Sequence, residues 1–277
     1  MTEVTEKLTA LRARLRELGS VLVCYSGGID SAFVLAVATE ELGERAVGMT
    51  AVSPSLPQSE KDDAARIALA LGATHRFVDS NELARDAYVK NGPDRCFHCK
   101  TELYSIARDK AREWQLAAIV NGTNTDDLGD YRPGLEAARE AGVVSPLLDA
   151  GMNKAAVRAA AQAIGMEIWD KPAAACLSSR IPYGTSVTRE RLAQIGAFEA
   201  ELRALGFRQV RVRWHDSIAR IELDLSELER LLNPELRAAA LDAGKRQGFR
   251  YVTLDLGGYR TGSHNEVLVA RSLPLLP

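Results

Sequence analysis

No apolar run in this chain approaches the ~20 residues needed to cross a bilayer. The charged start, Met1 to Gly19, lacks the continuous apolar core of a signal peptide. The expectation is a cytoplasmic protein with no membrane partner. Neither sign of charge dominates, with a formal charge of −2 and a pI of about 6.2. A nucleic-acid surface is therefore not expected from bulk electrostatics. Cysteines number only four, and in a reducing compartment they argue against disulfides and for metal or redox chemistry. No lysine occurs between Lys7 and Lys61, and neither Gly-x-x-x-x-Gly-Lys-Ser/Thr nor Gly-x-Gly-x-x-Gly marks the first βα turn. A Walker-type loop and a dinucleotide fingerprint are both excluded there.

What is present is a soluble composition, 46% hydrophobic and 26% charged, over 277 residues. That length buries one large core or two smaller ones. Val21 to Tyr25 is a buried-strand run. It breaks at Gly27-Gly28, and Ser31 onward reads as a helix with Asp30 and Ser31 available as caps. Strand, glycine turn and helix start aim free N–H groups and the positive helix end at one point, which suits phosphate. The string Ser26-Gly-Gly-Ile-Asp-Ser31 resembles the pyrophosphate (PP) loop of the ATP pyrophosphatases. The candidate contacts are Ser26, Gly27, Gly28, Asp30 and Ser31. Lacking a loop lysine, the outer phosphates need Mg²⁺ and arginines from elsewhere in the chain.

Strand-like and helix-like segments alternate through the first two-thirds: Ala46–Val52, a helix from about Ser59 to Leu71, Thr74–Val78, a helix from about Cys99 to Trp114, and Ala117–Asn121. Helices near Gly134–Ala141 and Asn153–Ile164 follow. This is the pattern of a parallel sheet covered on both faces, an α/β domain. Ligands sit at the carboxyl ends of such strands, so the loops Ser26–Ser31, Ser53–Gln58 and Gly122–Tyr131 should converge. Beyond Pro182 the order becomes α+β: a helix (Thr188–Leu205), strands Gln209–His215 and Ile218–Asp224, helices around Ser226–Leu232 and Pro234–Gly248, and a strand Tyr251–Leu256. The expected domains are 1–182, binding ATP, and 183–277, a smaller α+β domain for substrate phosphate and oligomer contacts. A homo-oligomer is expected.

Arg95-Cys-Phe-His-Cys-Lys100 carries Cys-x-x-Cys spacing, suited to a metal, a cluster or a dithiol. Arg95 and Lys100 would favour the thiolates by charge attraction. Cys176 lies in a small-residue loop ending at Arg180. Three thiolates, Cys96, Cys99 and Cys176, can hold a [4Fe–4S] cluster with one iron open; separate reduced thiols are the alternative. Cys24 reads as inert packing and His98 as an exposed histidine. Asp126 and Asp127 are candidates for ATP, ribose or metal, alongside Asn121 and Thr123 of the same loop. Val210, Val212 and Trp214 share one strand face, and Arg211 and Arg213 the other. Two such arginines suit a phosphate clamp, with a solvated face as the alternative. Glu199 and Glu222 are weaker metal candidates, and Phe97 suits either ring stacking or core packing.

Together, Ser26–Ser31, Arg95–Lys100, Asn121-Gly-Thr-Asn-Thr-Asp-Asp127 and Ala175-Cys-Leu-Ser-Ser-Arg-Ile-Pro-Tyr-Gly184 resemble the LarE family of ATP-dependent sulfur transferases. The resemblance implies adenylylation of a carboxylate of pyridinium-3,5-biscarboxylic acid mononucleotide, followed by oxygen-for-sulfur exchange, in nickel-pincer nucleotide synthesis. It also implies that Arg211 and Arg213 lie at the substrate phosphate or released pyrophosphate. Some members sacrifice the sulfur of the cysteine matching Cys176. Others carry three cysteines and a cluster fed by a sulfide donor, and this chain resembles those. Competing expectations are a cluster-dependent tRNA thiolase, an amidating synthetase and a nucleotide sensor without turnover.

Overall fold

A computed structural model describes residues 3–129, 133–171 and 175–260. The chain divides into two compact units, 1–174 and 175–277. In the first, α1 (Glu3–Leu18) leads into β1 (Val21–Cys24), followed by α2 (Ile29–Leu42), β2 (Ala46–Val52), α3 (Gln58–Ala70) and β3 (Thr74–Asp79). A short α4 (Asp86–Val89) and the long α5 (Arg95–Glu113) precede β4 (Ala118–Val120). Then come α6 (Pro133–Glu140), α7 (Pro146–Asp149) and α8 (Lys154–Ala163).

The four strands form one parallel sheet in the order β3-β2-β1-β4. The apolar run of β1 follows from burial on both faces. Val21 and Val23 pack with α1, α2, α3 and α8, whereas Leu22 and Cys24 pack with Tyr104, Ala107, Ala137 and Ala138 of α5 and α6. The α1 stripe is seated by Leu11 and Leu15, both 0% exposed. Because β1 is followed by β2 on one side and flanked by β4 on the other, the strand order reverses between β1 and β4. The crevice at their carboxyl ends is the ligand position of such sheets.

Two local expectations shift. The α5 helix starts at Arg95 rather than near Cys99, so Cys96, expected ahead of the helix, lies in its first turn and Cys99 one turn on. The N-cap, Asp94, makes no side-chain cap bond, so no capping signal marked that start. The α2 helix starts at Ile29 with Gly28 as N-cap and no side-chain cap bond. Asp30 and Ser31 therefore stand inside its first turn and are free for other work.

The second unit contains α9 (Arg189–Ala204), β5 (Val210–His215), β6 (Ile218–Leu223), α10 (Pro234–Arg246) and β7 (Tyr251–Leu254). Leu225–Leu232, expected as a helix, is a 3-10 segment. The sheet order is β5-β6-β7, antiparallel then parallel. Its core is set by Leu192, Ile195, Phe198 and Leu202 of α9, all 0% exposed, beneath Val212 of β5. The Cys176–Arg180 turn belongs to this unit, ahead of the expected boundary, and is fastened there by a buried ion pair between Arg180 and Glu199. Among the described residues no helix is long and apolar enough to cross a membrane.

Candidate active site

The loop after β1 is held from within. Gly27 has a φ of +77°, and a Cβ there would lie 3.3 Å from Ala64 of α3, so the loop rests directly on that helix. The Ser31 hydroxyl donates to the Gly28 carbonyl (3.1 Å), accepts the Ser26 N–H (3.2 Å) and lies 3.1 Å from Ser26 Oγ. Ser31 thus closes the loop on itself. The first-turn N–H groups of α2 have no intrahelical acceptor, which suits them to a phosphate.

The loop after β4 reaches the same point. A Cβ on Gly122 would stand 2.6 Å from Ser31 N and 2.9 Å from the Asp30 carbonyl carbon. Asn121 holds this loop, accepting from Thr123 N (3.1 Å) and Ser145 Oγ (2.9 Å). Asp127 is buried and accepts from Asn124 N (3.0 Å), and exposed Asp126 accepts from Lys154 N at the start of α8 (2.9 Å). Gly122→Ala is expected to push the loop off the helix start while the rest of the sheet stays packed. ATP affinity should fall at least tenfold, about 1.4 kcal/mol, with a cooperative melt retained. Unchanged ATP binding by calorimetry would disconnect this close approach from the nucleotide.

Asp30 is the unusual group here. Its Oδ1 is buried with no hydrogen-bond partner. Burial, aided by the Asp127 charge, raises its carboxyl above the ordinary value, while Lys154, Arg158 and the Asn124 amide oppose this. An unpartnered buried carboxylate oxygen at a helix start fits a cation such as Mg²⁺. In the third loop Ser53 and Ser55 both donate to Oε1 of buried Glu82, each at 2.6 Å.

At the start of α5, Cys96 is exposed and Cys99 half-buried. At i and i+3 they share a face. Arg95 is buried and donates to Asn91 Oδ1 (2.6 Å). Lys100 holds its ammonium 6.0 Å over the Tyr104 ring. Desolvation opposes its charge, yet the Tyr104 phenol and the Cys99, Cys24 and Cys96 thiols raise that ammonium above its ordinary value. Cys24 is buried, and burial pushes its thiol up to about 12, in line with inert packing. His98, expected as an exposed histidine, is half-buried with Nε2 3.0 Å from Asp94 Oδ2. Phe97 meets it edge-on and packs against the sheet's lower core.

In the second unit Cys176 is exposed at the head of a 3-10 turn, Leu177–Arg180. Its carbonyl accepts from Ser179 N (3.0 Å), Ser179 Oγ (2.8 Å) and Arg180 Nη1 (3.1 Å). Arg180 pairs with Glu199 through Nε (2.8 Å) and Nη2 (3.2 Å). Glu199 also accepts from Arg203 (3.2 Å) and Val212 N (2.9 Å), so its oxygens are occupied. Arg211 and Arg213 are 6% and 4% exposed, so this strand face is not a solvated one. Arg213 pairs with Glu222 (2.8 Å) and donates to Ser179 O (2.6 Å). Arg211 donates to Tyr259 Oη (2.7 Å) and keeps a buried Nε without a hydrogen bond; Oε2 of Glu222 also lacks a hydrogen bond and lies 3.6 Å from Arg211 Nη1. Burial, then the Arg213 charge, lowers the Arg211 guanidinium below its ordinary value. Three buried arginines against two buried glutamates leave an excess of positive charge beside the Cys176 turn. Among the described residues no three His, Cys, Asp or Glu side chains are grouped as metal ligands.

Lys154, Arg158 and Lys171 are basic residues of the first unit that sequence reasoning missed. Lys171 Nζ reaches the Gly27 carbonyl (3.3 Å) from 144 positions away, and no local spacing could signal that.

A parallel sheet with a phosphate-type glycine loop at its strand-order reversal defines a PP-loop ATP pyrophosphatase domain. The asparagine synthase family model matches residues 4–93. The chain is 41% identical over 282 residues, 99% of each chain, to the pyridinium-3,5-bisthiocarboxylic acid mononucleotide synthase of Lactiplantibacillus plantarum. It is 44% identical over 262 residues to an uncharacterised Synechocystis protein (95% of this chain, 98% of that one). A Methanocaldococcus jannaschii protein is 27% identical over 259 residues (92% and 98%). This chain belongs to the LarE family.

Proposed function

We propose that this protein uses ATP to activate a carboxylate of pyridinium-3,5-biscarboxylic acid mononucleotide and then replaces the activated oxygen with sulfur, as a step of nickel-pincer nucleotide synthesis. The observation that carries the reading is the 41% identity over 99% of both chains to the synthase of that product. The chemistry follows from the leaving group. Oxide cannot leave a carboxylate, whereas AMP can leave the acyl adenylate.

Each group then has a task. The Ser26–Ser31 loop and the α2 start would hold the phosphates by backbone N–H groups, Asp30 Oδ1 would hold Mg²⁺, and Thr123, Asp126 and Asp127 would border the nucleotide. Charge grows on the departing pyrophosphate, where fixed dipoles and cations stabilise it. Arg211 and Arg213 receive the substrate phosphate, and Arg180 sets the Cys176 turn. A [4Fe–4S] cluster on Cys96, Cys99 and Cys176, recharged by a sulfide donor, would supply a bound sulfide as the sulfur source. Thiols are the fitting donors for it, and these three are the accessible ones. Cys176 as a sacrificial sulfur source is the second reading, favoured by its exposure as a single thiol.

The direct test is pyrophosphate release from ATP, measured with the pyridinium mononucleotide and with unmodified tRNA. Release that depends on the mononucleotide supports the reading, and release that depends on tRNA assigns a thiolase instead. A variant checks the phosphate clamp. Arg211→Gln should weaken the mononucleotide by ~1.5–3 kcal/mol, the range of a charge-assisted contact. It should act like wild type on the nucleoside lacking the phosphate. Arg213→Ala is expected to cost ~1–3 kcal/mol of stability as well, because buried Glu222 would lose its 2.8 Å partner and keep only the longer ion pairs to Arg211 (3.6 Å) and Arg220 (3.5 Å).

A further inference from the structure

A loop without a lysine poses a problem, because the outer phosphates of ATP carry the charge that must be met when pyrophosphate leaves. The fold answers it from far along the chain. Lys171 Nζ lies 3.3 Å from the Gly27 carbonyl, 2.8 Å from Asp63 Oδ2 and 3.1 Å from Glu60 Oε2. We propose that Lys171 is the lysine of this pyrophosphate site, exchanging a carboxylate partner for an oxygen of the departing pyrophosphate. This rests on the phosphate-loop reading and adds to it a residue that the loop motif does not contain.

Three features favour exchange over a fixed staple. The ammonium has three N–H donors and three acceptors, so without ligand it is fully satisfied. Two of those acceptors are carboxylates, which a more highly charged phosphate can outbid. Asp63 does not lose its pairing when Lys171 leaves, because Arg66 Nη2 donates to its other oxygen at 3.0 Å. Lys171 and Arg66 together hold the Asp63 carboxyl below its ordinary value, against desolvation.

The main chain, by contrast, is pinned. Arg158 donates to the carbonyls of Trp169 and Lys171, both at 3.0 Å. Only the four-carbon stem needs to move, over a short arc beside Gly27. The side chain is 14% exposed, so its charge is screened less than at an open surface. As pyrophosphate departs, the lysine offsets negative charge while forming and breaking no covalent bond.

The two roles predict opposite signs in one variant. Titrate magnesium pyrophosphate into the full-length wild type, K171Q and E60Q by calorimetry, with a thermal melt of each. K171Q should bind at least about tenfold more weakly. E60Q should bind severalfold more tightly, because it releases the lysine. If E60Q weakens binding as K171Q does, Lys171 is a staple for the loop and the proposal is overturned. Wild-type affinity in K171Q also overturns it, and leaves the phosphate-loop reading untouched. Absence of pyrophosphate binding by the wild type would remove both.

Discussion

Cys96→Ala, Cys99→Ala and Cys176→Ala proteins are each expected to release pyrophosphate at the wild-type rate in the first turnover and then to stall at the acyl adenylate. Sulfur transfer should fall by at least ~10³-fold, since a three-thiolate cluster that loses one ligand loses the function of the set. Adenylylation should persist, because the loop at Ser26–Ser31 uses none of these thiols. Cys24→Ala is the control. Its thiol is buried and held protonated by burial, at about 12, so its loss should leave transfer intact. The measurement is iron content together with product mass. If only Cys176→Ala is inactive, and the active protein is iron-free and loses the mass of hydrogen sulfide, Cys176 is sacrificed and the cluster is absent.

Asp30→Asn should severely slow the first half-reaction without unfolding the protein. Oδ1 of Asp30 makes no hydrogen bond, and its charge is disfavoured by burial. Removing that charge should therefore leave the melting temperature unchanged or slightly raised. Pyrophosphate release, however, should fall by ~10²–10³-fold, the scale seen when one electrostatic stabiliser of a transition state is deleted. Magnesium dependence should weaken in parallel. A variant that melts early would make Asp30 a structural group. One that turns over normally would end its role as a metal ligand.

The parts of this protein legible from sequence share a physical cause. An uninterrupted apolar strand such as Val21–Cys24 is required where a sheet is covered on both faces, and Gly27 is required where φ is positive, so both leave local marks. The alternation of Arg211 and Arg213 identified their shared face but not its burial, because charged residues at period two look the same in water and in an ion-pair cluster. Arg180 likewise showed its position. Its partnership with Glu199, which ties the Cys176 turn to α9, needed the fold. Asp30 and Ser31 are available as caps by residue type, yet the N-cap position of the helix is taken by Gly28. Glu82, with serines on either side of a strand connection, and Lys171 at Gly27 could not be read at all. Their contacts join distant loops, and neither periodicity nor spacing records such pairs.

The account turns on one exchange, oxygen leaving a carboxylate as part of AMP while sulfur takes its place. Substrate with heavy oxygen in its carboxylates, incubated with ATP and the active protein, tests this directly by mass spectrometry. The account predicts that each sulfur inserted moves one heavy oxygen into AMP, with pyrophosphate formed in equal amount. Heavy oxygen in inorganic phosphate alongside ADP, or product that gains sulfur while AMP stays unlabelled, would contradict carboxylate adenylylation.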